Sequence, residues 1–183
     1  MYKYQISFSK YKLRDYEKNL ALKEFESLFP GLNQKRVNID NIEVETNNEL
    51  DENKLKKLTF FSEFSFENSK KSKSNVITEQ VILENLNTIK NDLFTSEYIN
   101  SVRPNSSREI RYLSHALHEY KGRFYPQLAK SFMNYAGIKK GQTVLDPFCG
   151  SGTTLLESLL YGVNAYGIDI NPVAYMLAKA KIG

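Results

Sequence analysis

Several things are scarce in this 183-residue chain, and each scarcity excludes something. There is one cysteine, Cys149, so neither an intrachain disulfide nor a multi-cysteine zinc site can form. That usage fits a reducing, cytoplasmic compartment. Tryptophan is absent and only five prolines occur, no two of them adjacent. No run of 18 or more apolar residues exists, so no membrane-spanning helix is expected. The opening residues Met1-Tyr2-Lys3-Tyr4-Gln5 carry no apolar core of a signal peptide. An excess of one charge is also missing. The net charge of +4 is thin and spread along the chain, compatible with nucleic acid but weaker than a dedicated DNA-binding domain shows. The length suffices for a packed core in one domain, or in a small domain plus an appendage.

The apolar pattern predicts a first strand over 2–8 and a helix over about 13–29, with Leu20, Leu22, Phe25, Leu28 and Phe29 on its inner side. Pro30-Gly31 ends that helix. A second strand is expected over 37–44, with Val37, Ile39, Ile42 and Val44 inward, then a polar loop over 47–53. The aromatic run 58–66 reads as a strand. The basic run 68–75 reads as a solvated loop, with a phosphate-contacting loop as the other possibility. Residues 78–94 form an amphipathic pattern. Together, 1–100 read as a small α+β N-terminal region, and 101–108, with Pro104, Asn105 and two serines, as a linker.

From residue 109 the pattern changes. Pro126 is placed to open a helix whose inner side would be Leu128, Phe132 and Tyr135. Thr143-Val144-Leu145 is expected to be a buried parallel strand, followed by a turn, a helix from Thr153 to Tyr161 and Gly162 as its cap. Ala165 to Ile168 forms the next strand, and Pro172 opens another helix. Such a βαβα order argues a parallel sheet with helical crossovers.

The turn between strand and helix, Asp146-Pro147-Phe148-Cys149-Gly150-Ser151-Gly152-Thr153-Thr154, carries the chemistry. Gly150 and Gly152 leave room where the backbone bends and a ligand comes close. The third glycine of a dinucleotide loop is absent, and no Gly-Lys-Ser/Thr follows, so a nucleotide-hydrolase phosphate loop is excluded. Asp146, at the end of its strand, would repel pyrophosphate but hold an ammonium. A carboxylate on the same ligand can use the N–H groups of the loop and of the helix start. Asp169 ends the next strand, where an acidic side chain accepts from two ribose hydroxyls. Together they suit a zwitterionic amino acid joined to adenosine. The structural alternative makes Asp146 a helix N-cap and Asp169 a cap before Pro172.

The run Val144 to Glu157, followed by Gly162-x4-Gly167-Ile168-Asp169-Ile170-Asn171-Pro172, resembles the cofactor-binding motif pair of amino-methyltransferases acting on adenine N6 or cytosine N4 in DNA. The resemblance implies a Rossmann-like methyltransferase fold, present in part over 109–183, and S-adenosylmethionine as cofactor. It places Asp146 through Thr154 around that cofactor and Asp169 on its ribose, with Ile170 and Asn171 adjacent. His118 to Leu128 resembles the family's additional cofactor segment, bringing Tyr120, Phe124 and Tyr125 near the methionine end. Lys121 or Arg123 would then meet the cofactor carboxylate or a phosphate. The other reading of that segment is an aromatic helix entry packed in the core.

His115 and His118 are spaced for a metal pair, but no third ligand is evident, and none is expected. Cys149 reads as a loop residue and not as a nucleophile, since methyl transfer to an amine is direct and the Pro-Cys motif of cytosine-C5 enzymes is absent. Also absent is the family's (Asp/Asn/Ser)-Pro-Pro-aromatic motif, which accepts hydrogen bonds from the target amine and stacks the extruded base. The expectation is therefore a split subunit or a fragment, inactive alone, with the catalytic motif on a second polypeptide or a missing C-terminal part. Two rival readings stay open: a tRNA guanine-N2 methyltransferase, which shares a similar loop, and a non-catalytic cofactor-binding partner.

Overall fold

The computed structural model describes residues 1–9, 13–32, 34–36, 38, 40–66, 69–72, 113–118 and 120–183. The helix expected over 78–94 and the linker expected over 101–108 lie outside these, as do Val37 and Ile39. The chain divides into two units: 1–80 with 131–137, and 81–130 with 138–183.

In the first unit, alternation of apolar and polar side chains builds strand β1 (Tyr2–Phe8), whose Tyr4, Ile6 and Phe8 are buried. Helix α1 (Asp15–Leu28) follows. Its first turn is closed by Glu17, whose carboxylate accepts from the Arg14 N–H at 2.6 Å. Leu20, Phe25 and the adjoining Phe29 are buried, as their spacing predicts. Strands β2 (Gln34–Arg36) and β3 (Asn41–Thr46) replace the single strand expected over 37–44. Asn38 causes the break. Its side-chain oxygen accepts from the Asp40 N–H at 2.8 Å, an Asx turn that reverses the chain between two antiparallel strands. The polar stretch after β3 also holds more order than expected. Asp51 caps a short helix α2 (Glu52–Lys57) by accepting from the Asn53 N–H.

Strand β4 (Phe61–Phe66) starts later than its aromatic run, and β5 (Ser69–Ser72) occupies part of the basic run expected to be a loop. Pairing with β4 supplies the backbone partners that the local sequence gives no hint of. The sheet order is β2-β3-β1-β4-β5, and every pairing is antiparallel. Phe8 stacks on Phe61 at 4.7 Å between ring centres, and Phe25 of α1 meets Phe61 edge-on at 6.5 Å. The apolar face of the sheet is thus sealed by α1.

Helix α3 (Pro126–Tyr135) opens on its proline as predicted but buries a different side. Phe132 and Tyr135 are exposed, whereas Ala129, Ser131, Met133 and Asn134 are buried. The reason is polar. Glu24 is fully buried and accepts from the Thr59 N–H at 3.0 Å, the Thr59 hydroxyl at 2.7 Å, the Ser131 hydroxyl at 3.1 Å and the Asn134 amide. A buried carboxylate demands such donors, so the helix turns them inward at the expense of two rings.

The second unit contains β6 (Thr143–Asp146), helix α4 (Thr153–Tyr161), β7 (Asn164–Gly167) and helix α5 (Pro172–Ile182), with a 3-10 turn at Leu113–Ala116. β6 and β7 pair in parallel, Thr143 opposite Asn164 through Asp146 opposite Gly167. This is the Rossmann-like βαβα arrangement, and the chain as a whole is α/β with an α+β N-terminal part. Burial differs from expectation. The register partners Leu145 and Tyr166 are 61% and 68% exposed. Only the opposite side is covered, where Ala165 packs on Cys149, Leu155 and Ala178.

Replacing Glu24 with alanine removes the shared acceptor of four donors in the core and should destabilise the first unit by about 2–4 kcal/mol. Replacing the exposed Glu26 should cost no more than about 0.5 kcal/mol. Urea denaturation followed by circular dichroism measures both; equal midpoints would contradict the assignment.

Candidate functional site

The second unit brings the turn after β6 against the chain that follows β7. Parallel pairing does not stop at the strand ends. The Ile168 N–H donates to the Asp146 carbonyl and the Cys149 N–H to the Ile168 carbonyl, both at 2.9 Å. One step further, the Gly150 N–H donates to Asp169 Oδ2 at 2.8 Å. The turn containing Pro147 and Phe148 is closed locally, with Asp146 Oδ1 accepting from the Phe148 N–H at 3.1 Å. The two aspartates thus stand at neighbouring strand ends, where open α/β sheets take their ligands.

Neither aspartate caps a helix. Asn171 caps α5, its side-chain oxygen accepting from the Val173 N–H at 2.9 Å, with Pro172 next. Gly152 caps α4 from the left-handed region, φ 79°, and no side chain caps that helix start. Helix capping therefore occupies neither Asp146 nor Asp169. Asp169 uses one oxygen for Gly150 and the other for the Asn171 N–H at 2.8 Å. Each oxygen keeps further acceptor capacity.

The glycines act differently from one another. Gly150 and Gly152 both have positive φ, as a sharp bend requires. A Cβ on Gly150 would approach the Tyr120 ring to 3.2 Å. A Cβ on Gly152 would meet the Ala178 backbone at 3.0 Å, so the space beside this glycine belongs to helix α5 and not to a ligand. Gly167 is the tightest: an added Cβ would lie 2.7 Å from Leu155 and 2.9 Å from Cys149. Its bareness lets Cys149 drop onto the strand end.

Cys149 accordingly turns inward, 9% exposed, its N–H donating to the Ile168 carbonyl and its thiol to the Gly150 carbonyl at 3.7 Å. Burial, then Asp146 and Asp169, push its thiol above the ordinary value, which makes it a poor nucleophile. Of the loop N–H groups, those of Phe148, Cys149, Gly150 and Gly152 are used within the protein. The start of α4 at Thr153 and Thr154 has no side-chain cap, as an anion-accepting helix start requires. Ser151 and Thr153 are buried, Thr154 is half-buried, and Pro147, Phe148 and Ile170 stand exposed.

The preceding segment is only partly drawn in. Tyr120 lies beside Gly150, its hydroxyl 3.5 Å from the Asn171 amide. Lys121 is exposed on the turn made by Gly122, and Phe124 is exposed and Tyr125 half-buried. Arg123 is engaged elsewhere, donating to the carbonyls of His115 at 2.6 Å and His118 at 3.2 Å. The two histidines part company: His118 is exposed, while His115 is buried against Glu157 with Nε2 2.9 Å from Oε1. Burial lowers the His115 pKa, so the ring is neutral, held by the Glu157 carboxylate.

Sequence reading missed three participants: the His115–Glu157 pair, the bareness of Gly167, and Lys181. Glu157 did leave a signal, a charge inside the apolar run Leu155 to Leu160. Its partner lies 42 residues away and leaves none.

Gly167→Ala should destabilise the second unit by about 1–3 kcal/mol through overpacking. Gly162→Ala, strained only by its φ of 78° with open space beyond, should cost about 1 kcal/mol. Thermal midpoints of the two variants rank them, and the reverse order would refute the packing argument.

These residues fit S-adenosylmethionine by donor set: two carboxylates with spare acceptor capacity, for an ammonium and a ribose, and an uncapped helix start for a carboxylate. Comparison with known proteins agrees. A type II methyltransferase of Methanocaldococcus jannaschii, M.MjaII, is 43% identical over 68 residues, 37% of this chain and 13% of that protein. The type II methyltransferase M.MvaI of Kocuria varians is 36% identical over 105 residues, 56% of this chain and 22% of that protein. A tRNA (guanine(10)-N2)-dimethyltransferase of M. jannaschii is 34% identical over 102 residues, 55% of this chain and 26% of that protein. The matched stretches thus span about a quarter or less of these relatives' lengths. DNA and tRNA methyltransferases of these kinds use S-adenosylmethionine as methyl donor. A family model described as DNA methylase, of the N6/N4 type, matches residues 2–180, and the chain belongs to that family.

Proposed function

We propose that this chain is the methyl-donor part of a site-specific DNA methyltransferase acting on an exocyclic amine, adenine N6 or cytosine N4. The observation that carries the reading is the convergence of Asp146 and Asp169 at neighbouring strand ends, with both relieved of helix capping. When bound, S-adenosylmethionine supplies a sulfonium-activated methyl group. Asp169 receives the ribose hydroxyls and stays rigid because Gly150 and Asn171 already hold it. Asp146 faces the ammonium. The uncapped N–H groups of Thr153 and Thr154 take the carboxylate. Phe148, 86% exposed, and Tyr120 flank the adenosine and methionine ends, with Lys121, Phe124 and Tyr125 around them.

The acceptor chemistry comes from elsewhere. No Pro-Pro-aromatic motif occurs in these residues, so a second polypeptide or further sequence supplies it. The exposed Leu145, Tyr166 and Ile168 support this, since parallel sheets are normally covered on both faces. Among the described residues no helix is long and apolar enough to cross a membrane, and a cytoplasmic site with a DNA partner, as in restriction-modification, suits the reading. A second reading, methylation of a guanine N2 in tRNA, is favoured by the tRNA dimethyltransferase relative, whose match covers 55% of this chain. A non-catalytic cofactor-binding partner is the third.

Calorimetry with S-adenosylhomocysteine tests the site. Asp169→Ala should weaken binding by about one to two orders of magnitude, as loss of charge-assisted hydrogen bonds implies; an unchanged affinity removes the ribose assignment. Labelled methyl transfer tests the substrate. With the chain joined to a Pro-Pro-aromatic partner, label is expected in duplex DNA. Label in tRNA alone would favour the second reading, and label in neither the third.

A further inference from the structure

Helix α5 lies against the loop through two residues on one face, Ala178 and Lys181. Ala178 fills the space beside Gly152. Lys181 is 6% exposed, and its Nζ lies 2.9 Å from the hydroxyl of Ser151, itself 2% exposed. The Ser114 hydroxyl donates to the Lys181 carbonyl at 3.0 Å, fixing that end of the helix. No carboxylate reaches the ammonium within ion-pair distance among the described residues. A buried cation held by one neutral hydroxyl is costly and contributes nothing obvious to folding.

What it holds is the loop's least constrained point. Ser151 is flanked by two glycines of positive φ, whose backbones have several accessible basins. The hydroxyl of Ser151 is turned away from the site and toward Lys181, so it serves the loop and not a ligand. We propose that Lys181 is a positioning residue for the methyl donor: its bond to Ser151 locks Gly150–Gly152 in the shape that presents the start of α4 to the cofactor. This rests on the reading of the loop as the cofactor site.

The surroundings make the lock sensitive to pH. Burial and then the Arg123 guanidinium pull the Lys181 pKa down to about 8. The other groups facing it are His115 from the 3-10 turn, neutral and bonded to Glu157, and Ser151 from the loop. The ammonium that donates to Ser151 is therefore half titrated near pH 8 and is lost progressively as pH rises through that value. Because the folded pKa is depressed, the charge burdens folding below about 8, and that burden is relieved as pH rises toward the ordinary value of 10.5.

The test is calorimetry with S-adenosylhomocysteine on the 183-residue chain. Lys181→Met and Ser151→Ala should each weaken binding on the order of tenfold, the loss of one charge-assisted bond. The double variant should lose no more than either single one. Thermal stability of Lys181→Met should hold or rise, which a merely structural role would not produce. Between pH 7 and 9.5 the unaltered chain should lose affinity relative to Lys181→Met, a difference in which the ligand's own amino group cancels. Ser151→Ala tests the same bond if Lys181→Met does not fold. Binding by either folded variant within twofold of the unaltered chain, while Asp169→Ala loses affinity, overturns the inference and leaves the site standing. If Asp169→Ala also binds normally, the site reading fails and this inference with it.

Discussion

The Gly150 N–H to Asp169 bond is the hinge pin of the second unit. It is the last rung of a ladder that begins as the parallel pairing of β6 with β7 and continues through the Ile168 and Cys149 amides. Because it lies beyond the strand ends, it can form only if the turn settles onto the β7 terminus. That settling requires a residue without a Cβ at 167 and a small side chain at 149. Geometry of the candidate site thus descends from steric permission: one missing carbon at Gly167 decides where two carboxylates stand.

A division of labour follows. Asn171 caps α5, Gly152 turns the chain into α4, and Cys149 fills the core, so helix capping and core filling fall on residues other than the two aspartates. Asp169 is still held, but by N–H donors, which fix its orientation. Such preorganisation reduces what a ligand must spend on ordering the site.

Much of this was legible in the sequence, for physical reasons that differ by element. β1, α1, α4 and α5 follow local periodicity; α1 and α4 end on strong signals, Pro30-Gly31 and Gly162, and α5 opens on Pro172. The loop was legible because glycine, acid and strand end constrain one another within nine residues. Elements fixed by distant partners were not. The inner side of α3 was misjudged because Glu24, across the sequence, outbids Phe132 and Tyr135. Strand β5 exists because β4 offers it hydrogen bonds, not because Ser-Lys-Lys-Ser favours extension. The 37–44 stretch looked continuous because apolar residues alternate straight through a turn that one asparagine makes. Lys181 and Ser151 are ordinary residues by composition, and only their mutual burial marks them.

Glu24 also has a consequence in time. Asn134, one of its donors, lies 110 residues further along the chain. A ribosome adding roughly 5–20 residues per second makes that donor roughly 6–20 seconds after the carboxylate. During that interval the N-terminal sheet has its strands and α1 but lacks the inner side of α3 for its buried acid. The first unit therefore cannot reach its final hydrogen-bonded core as an early, independent piece of the nascent chain. It must wait for residues made just before the loop after β6, so completion of its core and emergence of that loop fall close together in synthesis.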